Sequence, residues 1–394
     1  MNASNFLYYV GMKKNKIIVM IIPLLLFVVA SVIYAFLVNA EAKRDVFFDS
    51  LDDVYPDVIE KAMSLESTDK ELGEPYKVYP IETSPDSSEV FYSTLIEYPF
   101  GSSPRAEPQN TSLRGIILYV HGYNDYYFQK ELAEKADSAG YAFFAIDLHY
   151  CGRSYAAGDR RADMRSVKEF YSELDIAVEL CKKIAVDDYE EAENFPFIIL
   201  GHSQGGLIAS LYVADRDERF AALVLNSPFL QLNSNWFERN IVASLLSEVA
   251  LFMPDFSAET TGDPNYAYSL MKSEKGEWEY NLKWKSVTRP TLHLGWLRAI
   301  LRAQSRVHSR LNIKPPVLVM HSGCSAKSET WTDDYSRCDV VLDVDAIEEW
   351  APYLGEDVTT KTIQGGLHDL LLSRKEVRDN AYREMLNFID GVVQ

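Results

Sequence analysis

Cysteine is scarce: the chain of 394 residues has four, at 151, 181, 324 and 338. Disulfide-stapled folds devote a far larger share of a shorter chain to it, and a chain this long can build its own core. None of the Cys and His spacings suggests a metal site, and no cofactor is expected. Positive charge is scarce as well. Lys and Arg number 39 against 58 Asp and Glu, a net −19. That balance argues against nucleic acid, whose phosphates need a basic face. It also argues against docking on anionic lipid through a polybasic patch. Internal repeats and long low-complexity tracts are absent.

Long, almost wholly apolar runs are absent too, with one exception. Ile17 to Val38 is 22 residues without a charge. As a helix at about 1.5 Å per residue it spans roughly 33 Å, against a bilayer core of about 30 Å. Lys13, Lys14 and Lys16 precede it, and Lys43 and Arg44 follow. The bias is weak and favours the N-terminus inside and the body outside the cytoplasm. Val38-Asn39-Ala40 resembles a small-residue cleavage site, so a secreted protein freed from a signal peptide is the alternative. The run is longer than a usual signal core of about 7–15 residues, and a single-pass anchor is the preferred reading. The expected organisation is a tail at 1–16, an anchor at 17–39, a stalk or helical segment at 40–75 and a catalytic domain at 76–394. The stalk has periodic apolar residues at Val54, Val58, Ile59 and Met63.

Beyond residue 76, short β-branched and aromatic runs alternate with helical stretches. The runs are 89–98, 115–120, 141–147, 195–200, 221–226, 315–320 and 358–363. Continuous apolar runs mark strands buried on both faces, as in a parallel sheet. Helices are expected near 126–139, 165–186, 205–218, 343–353 and 374–390. The alternation implies an α/β fold with a mostly parallel sheet flanked by helices. Residues 228–312 are too many for one crossover and are rich in Trp, Leu, Phe and Met. They read as a mainly helical insertion, a lid over the C-terminal edge of the sheet that forms an apolar acyl pocket. A plain helical subdomain is the alternative.

The run 195–200 leads into Gly201-His202-Ser203-Gln204-Gly205-Gly206 and then a helical stretch. G-x-S-x-G alone is a weak signal. A strand before it and a helix after it supply the context of a nucleophile elbow, with Ser203 on the sharp turn. Its oxyanion hole needs two backbone N–H groups: that of Gln204, and one from the turn after an earlier strand. GIILYV ends in His121-Gly122-Tyr123, which makes the Tyr123 amide the second candidate. In folds built on such an elbow the acid and then the histidine follow in the chain. Of the histidines at 121, 149, 202, 293, 308, 321 and 368, only His368 lies in a loop after the last strand. The acid belongs after 315–320, where Glu329, Asp333, Asp334, Asp339, Asp343 and Asp345 compete. Asp339 stands before a short apolar turn and a helix, which favours it; Asp343 is the alternative acid and also a good N-cap. Cys324 and Cys338 bracket the same excursion. Outside the cytoplasm a disulfide there would pin the acid loop; two free thiols are the alternative.

These residues together resemble a known group. HG at 121–122, Asp147-Leu148 followed by Gly152-Arg153-Ser154, GHSQGG at 201–206 and Ser227-Pro228 carry the likeness. So do PPVLVMHSG at 315–323, DVVLDV at 339–344 and GGLHDL at 365–370. From about 89 to 392 the chain resembles the monoacylglycerol lipase and lysophospholipase branch of the α/β-hydrolases, also called the serine aminopeptidase group. The resemblance implies an α/β-hydrolase fold with a lid, the triad Ser203, Asp339 and His368, no cofactor, and an ester substrate with an acyl chain. The loop from Gly323 to Asp339 is longer than the group's pattern, and the apolar run at 17–38 lies outside it. The expectation is a serine hydrolase of lipid esters working through an acyl-enzyme on Ser203. A serine aminopeptidase-like peptidase is a second reading. An inactive hydrolase fold serving as a membrane-bound interaction module is a third.

Overall fold

Strands whose residues are apolar on both sides must be covered on both sides, and the architecture follows from that demand. The computed structural model describes residues 14–49, 55–86, 89–103, 112–188, 194–216, 219–258, 263–328 and 330–393. The chain divides into two compact units, 1–47 and 48–394. Helix α1 (Lys14–Asp49) contains the window Leu26–Val46, 21 residues long, unburied, and apolar enough to cross a membrane. Of the expected tail, residues 1–13 lie outside the described residues, as do 50–54 of the segment 40–75 and Glu329.

The second unit continues with α2 (Pro56–Ser64), β1 (Ser67–Thr68), β2 (Lys77–Asp86), β3 (Glu89–Tyr98), β4 (Gly115–Val120), α3 (Lys130–Ser138), β5 (Tyr141–Asp147) and α4 (Tyr171–Asp188). Then come β6 (Phe197–His202), α5 (Gln204–Asp215) and β7 (Ala222–Asn226). The insertion holds α6 (Ala243–Ala250), β8 (Ser257–Ala258), α7 (Asn265–Leu270), β9 (Leu292–His293) and α8 (Leu294–His308). The chain ends with β10 (Val317–Ser322), α9 (Val344–Trp350), β11 (Val358–Ile363) and α10 (Lys375–Val393).

One sheet of nine strands runs in the order β1-β2-β3-β5-β4-β6-β7-β10-β11. From β5 to β11 every pairing is parallel. β1, β2 and β3 form an antiparallel margin joined to β5. Every residue of β4, β5, β6, β7 and β10 is buried, whereas β11, with the sequence VTTKTI, forms the half-exposed edge. Side chains of α4, α5 and α8 cover one face, and those of α3 and α10 cover the other. β4 sits between β5 and β6, so the chain reverses its direction of build there. Ligand crevices open at such a point, beyond the C-terminal ends of the strands.

The structure shifts several expected boundaries. Strand β10 begins at Val317 rather than 315, because Pro315 and Pro316 have no N–H to give the ladder. Strand β6 runs two residues further than expected and takes in Gly201 and His202. The helix expected from 126 starts at Lys130: Tyr127 instead donates its N–H to Asp147 Oδ1 (2.8 Å) and Phe128 donates to Gln129 Oε1 (3.0 Å). β2 was not among the expected strands, since Pro80 and Pro85 interrupt its pattern; Pro80 is tolerated because β1 is too short to pair with it. In the segment 40–75, Val58, Ile59 and Met63 pack against the core.

Candidate active site

Ser203 occupies the turn between β6 and α5 with φ 52° and ψ −118°. A non-glycine residue rarely adopts positive φ, and the turn is held there by its surroundings. Ser203 N–H donates to the Asn226 carbonyl (3.0 Å), and the Ser203 carbonyl accepts from Leu207 and Phe229. Two glycines permit the close approach. A Cβ on Gly205 would lie 2.2 Å from the His121 carbonyl oxygen, and one on Gly122 3.1 Å from Ser203 Cβ. The turn after β4 is thus pressed against the elbow. His121 fastens it: Nδ1–H donates to the Gly122 carbonyl (2.7 Å), and Nε2 accepts from the Leu148 amide (3.1 Å).

His368 lies in the loop after β11, nearly fully buried. Its Nε2 is 2.9 Å from Ser203 Oγ and its Nδ1 is 2.9 Å from Asp339 Oδ2. The other oxygen of Asp339, Oδ1, accepts the amides of Val341 (2.8 Å) and Leu342 (2.7 Å). A carboxylate only accepts, so the imidazole proton sits on Nδ1, and the lone pair of Nε2 accepts from the Ser203 hydroxyl. Asp343 caps α9 by accepting the Asp345 amide at 3.2 Å. Asp334 pairs with Arg337 at the surface, and Asp333 stands beside it in a 3-10 turn.

The disulfide is formed: Cys324 and Cys338 are bonded, with Cα atoms 4.9 Å apart. Its two ends are also joined by backbone hydrogen bonds, Asp339 N–H to the Cys324 carbonyl (2.8 Å) and Ala326 N–H to the Asp339 carbonyl (2.9 Å). The cross-link therefore closes the excursion directly beside Asp339. Cys151 and Cys181 are free and buried.

The two residues expected to donate to an oxyanion flank the elbow. Tyr123 follows Gly122, and Gln204 begins α5. The side chains of both meet the insertion. Trp296 Nε1 donates to Gln204 Oε1 at 2.9 Å, and the Trp296 ring stands 5.2 Å from that of Tyr123. Phe229 stacks on Trp296 with ring centroids 6.4 Å apart. Burial raises the Tyr123 phenol well out of its ordinary range, with Cys151 and Asp163 adding to the rise, so it stays neutral.

Asn226 and Lys285 carry no motif and were missed by sequence reasoning. Asn226, at the end of β7, holds both loops: its carbonyl accepts from Ser203 N–H, and its Nδ2 donates to Asp369 Oδ1 at 2.7 Å. The one available signal was a polar residue closing an apolar strand. Beside it, Asp125, His202 and Asp369 present donor atoms within 4.8 Å of one another, the described residues' best arrangement for a metal ion. Lys285 of the insertion already supplies a cation there, its Nζ 2.6 Å from Asp125 Oδ1. Burial alone would raise the Asp125 carboxyl, but Lys285, His202 and His121 carry it below its ordinary value. Burial also lowers His202, against the pull of Asp369. His202 Nδ1–H donates to the Asn226 carbonyl (3.0 Å), and its ring lies 4.9 Å from that of His368. His321 is buried in β10, His308 stacks on Trp350, and His293 lies 3.4 Å from Asp163.

The profile of the serine aminopeptidase family S33 matches residues 111–375, more than half of the chain and all of the elements just described around Ser203 and His368. The chain belongs to this family. Among curated relatives, a monoacylglycerol lipase of Mycolicibacterium smegmatis is 32% identical over 120 residues, which is 30% of this chain and 39% of that protein. This chain thus spans well under half the length of that relative. Phospholipase YtpA of Bacillus subtilis is 25% identical over 213 residues, 53% of this chain and 74% of that protein. Two solved structures share the fold. A soluble variant of the monoglyceride lipase of Saccharomyces cerevisiae aligns with TM-score 0.58 at 16% identity, over 79% of this chain and 95% of its own. A carboxyl esterase of Bacillus coagulans aligns with TM-score 0.53 at 17% identity, over 80% and 99%. The S33 chain described here is therefore an α/β-hydrolase in which the insertion separates β7 from β10.

Proposed function

We propose that the protein is a serine hydrolase that cleaves carboxylic esters of lipids, monoacylglycerols or lysophospholipids, through an acyl-enzyme on Ser203. The observation that carries this reading is the buried hydrogen-bonded series Ser203–His368–Asp339 beside an apolar wall of Tyr123, Phe229 and Trp296. His368 Nε2 takes the Ser203 proton as Oγ attacks the ester carbonyl. The amides of Tyr123 and Gln204 stabilise the oxyanion, and Asp339 stabilises the imidazolium. His368 then gives the proton to the leaving alcohol. Water, activated by the same imidazole, releases the fatty acid.

The insertion at 228–312 serves as the lid of the catalytic domain 76–394, and its apolar wall takes the acyl chain. The helix containing Leu26–Val46 anchors the chain in a membrane, from which the substrate arrives. The catalytic body lies outside the cytoplasm; the Cys324–Cys338 disulfide supports this, because such bonds persist in oxidising compartments.

Full-length protein in detergent, assayed on p-nitrophenyl esters of increasing acyl length and on monoacylglycerol and lysophospholipid, tests the substrate class. The reading predicts turnover that rises with chain length and extends to at least one lipid. Turnover confined to amino-terminal peptide amides would replace it with the peptidase reading.

A further inference from the structure

The insertion meets the elbow at Trp296. Trp296 lies near the start of α8, is 7% exposed, and meets the side chains of Tyr123 and Gln204, the two residues proposed to form the oxyanion hole. Its indole N–H donates to Gln204 Oε1 at 2.9 Å, and its ring packs at 5.2 Å against Tyr123. Gln204 is itself nearly buried at 5%. A buried amide oxygen that loses its donor must turn to find another. Gln204 is the first residue of α5, so the bond ties to α8 the residue whose N–H is assigned to the substrate carbonyl. Behind Trp296 the helix is fixed to the body by Arg306, which makes a paired contact with Asp215 of α5 (2.7 and 2.9 Å), while Gln304 Nε2 donates within the insertion to the Phe229 carbonyl (3.0 Å).

We infer that Trp296 is a positioning residue, through which α8 of the insertion sets the two amides of the oxyanion hole. This rests on the acyl-enzyme reading above. The coupling makes the hole complete only while α8 is seated, so an insertion displaced from the body leaves Ser203 paired with His368 but without full stabilisation of its oxyanion.

The test uses the full-length enzyme in detergent with p-nitrophenyl butyrate, and a trifluoromethyl ketone whose hemiketal adduct on serine carries an oxyanion. Trp296→Phe keeps the ring and removes the donor. It is expected to lower kcat about tenfold with KM changed less than about threefold, and to weaken the ketone by the same factor as kcat. Gln204→Met breaks the bond from the other side and is held to the same outcome, should Trp296→Phe fail to fold. Combining them breaks the same single bond, and the double variant is expected to lose no more than about what either single variant loses. An unchanged kcat, a change in KM alone, a kcat loss without weaker ketone binding, or single losses that multiply in the double variant would each overturn the assignment. Ser203→Ala run alongside separates the two levels. Turnover that survives in it overturns the acyl-enzyme reading and this one together. Turnover lost there but untouched by Trp296→Phe overturns only the role of Trp296.

Discussion

The turn that carries Ser203 and the excursion that carries Asp339 hold their side chains by different means. The elbow is short and its geometry is enforced by backbone: glycines where chains nearly touch, and a serine at positive φ whose N–H and carbonyl are both hydrogen-bonded. The acid excursion, from Gly323 to Asp339, has little regular structure. It is closed at its base by the Cys324–Cys338 bond and by two backbone hydrogen bonds, and Asp339 is fixed by the amides that follow it. The first arm leaves no room for an added atom at Gly205; the second is closed at its base by the disulfide and two backbone hydrogen bonds. Under the proposed mechanism Ser203, as nucleophile, must meet its oxyanion donors to within a few tenths of an ångström, whereas Asp339, as acid, has only to orient an imidazole.

That contrast can be broken at either arm. The largest effect is expected for Gly205→Ala, since a Cβ there would sit 2.2 Å from backbone that cannot yield. A loss of more than about 4 kcal/mol in chemical denaturation, with no active enzyme, is the expected result; a folded, active variant would mean that the elbow has slack. Asp339→Asn is expected to keep the fold, seen by circular dichroism, and to lower kcat about ten-thousandfold.

Lys285→Met leaves the Asp125 carboxylate buried without its cation, beneath the elbow, and is expected to cost about 3–5 kcal/mol at neutral pH. In the wild type the Asp125 carboxyl is held below its ordinary value. Its contribution to stability is therefore fully present above about pH 4 and is lost as pH falls through the folded-state value. The gap between variant and wild type should narrow as pH falls below about 4, which urea titrations at several pH values would read. Replacing Cys324 and Cys338 together by Ser is expected to cost about 3 kcal/mol, by the entropy of a loop of about 15 residues. The smallest effect belongs to Asp343→Ala: about 1 kcal/mol for the lost cap, with kcat within about twofold. A collapse of kcat there instead would transfer the acid role to Asp343 and invert the comparison.

The same contrast governs what could be read in advance. Ser203 and His368 stand in local patterns because the backbone around them leaves few residue types admissible, and Asp339 precedes a recognisable turn and cap. The Cys324–Cys338 pairing stayed open, since a pairing across 14 residues has no local signature. Asn226, Lys285 and Trp296 act across 143, 160 and 92 residues of sequence. Nothing periodic marks such contacts. The strand with Pro80 and Pro85 was hidden for the opposite reason: its local pattern argued against it, and pairing with β3 overrode that pattern. In the insertion, Trp278 Nε1 donates to the Leu372 carbonyl (2.8 Å) and Asn124 Nδ2 to the Ser286 carbonyl (2.9 Å). Single side chains, not an amphipathic face, hold residues 271–291 on the body, so the stretch had no helical period to read.

The most direct test is to treat the full-length protein with a fluorophosphonate and map the adduct by peptide mass spectrometry, with Ser203→Ala beside it. The account predicts one phosphonylated residue, Ser203, and no adduct in the folded Ser203→Ala variant. An adduct on another residue, or none on a folded wild-type protein, would contradict it.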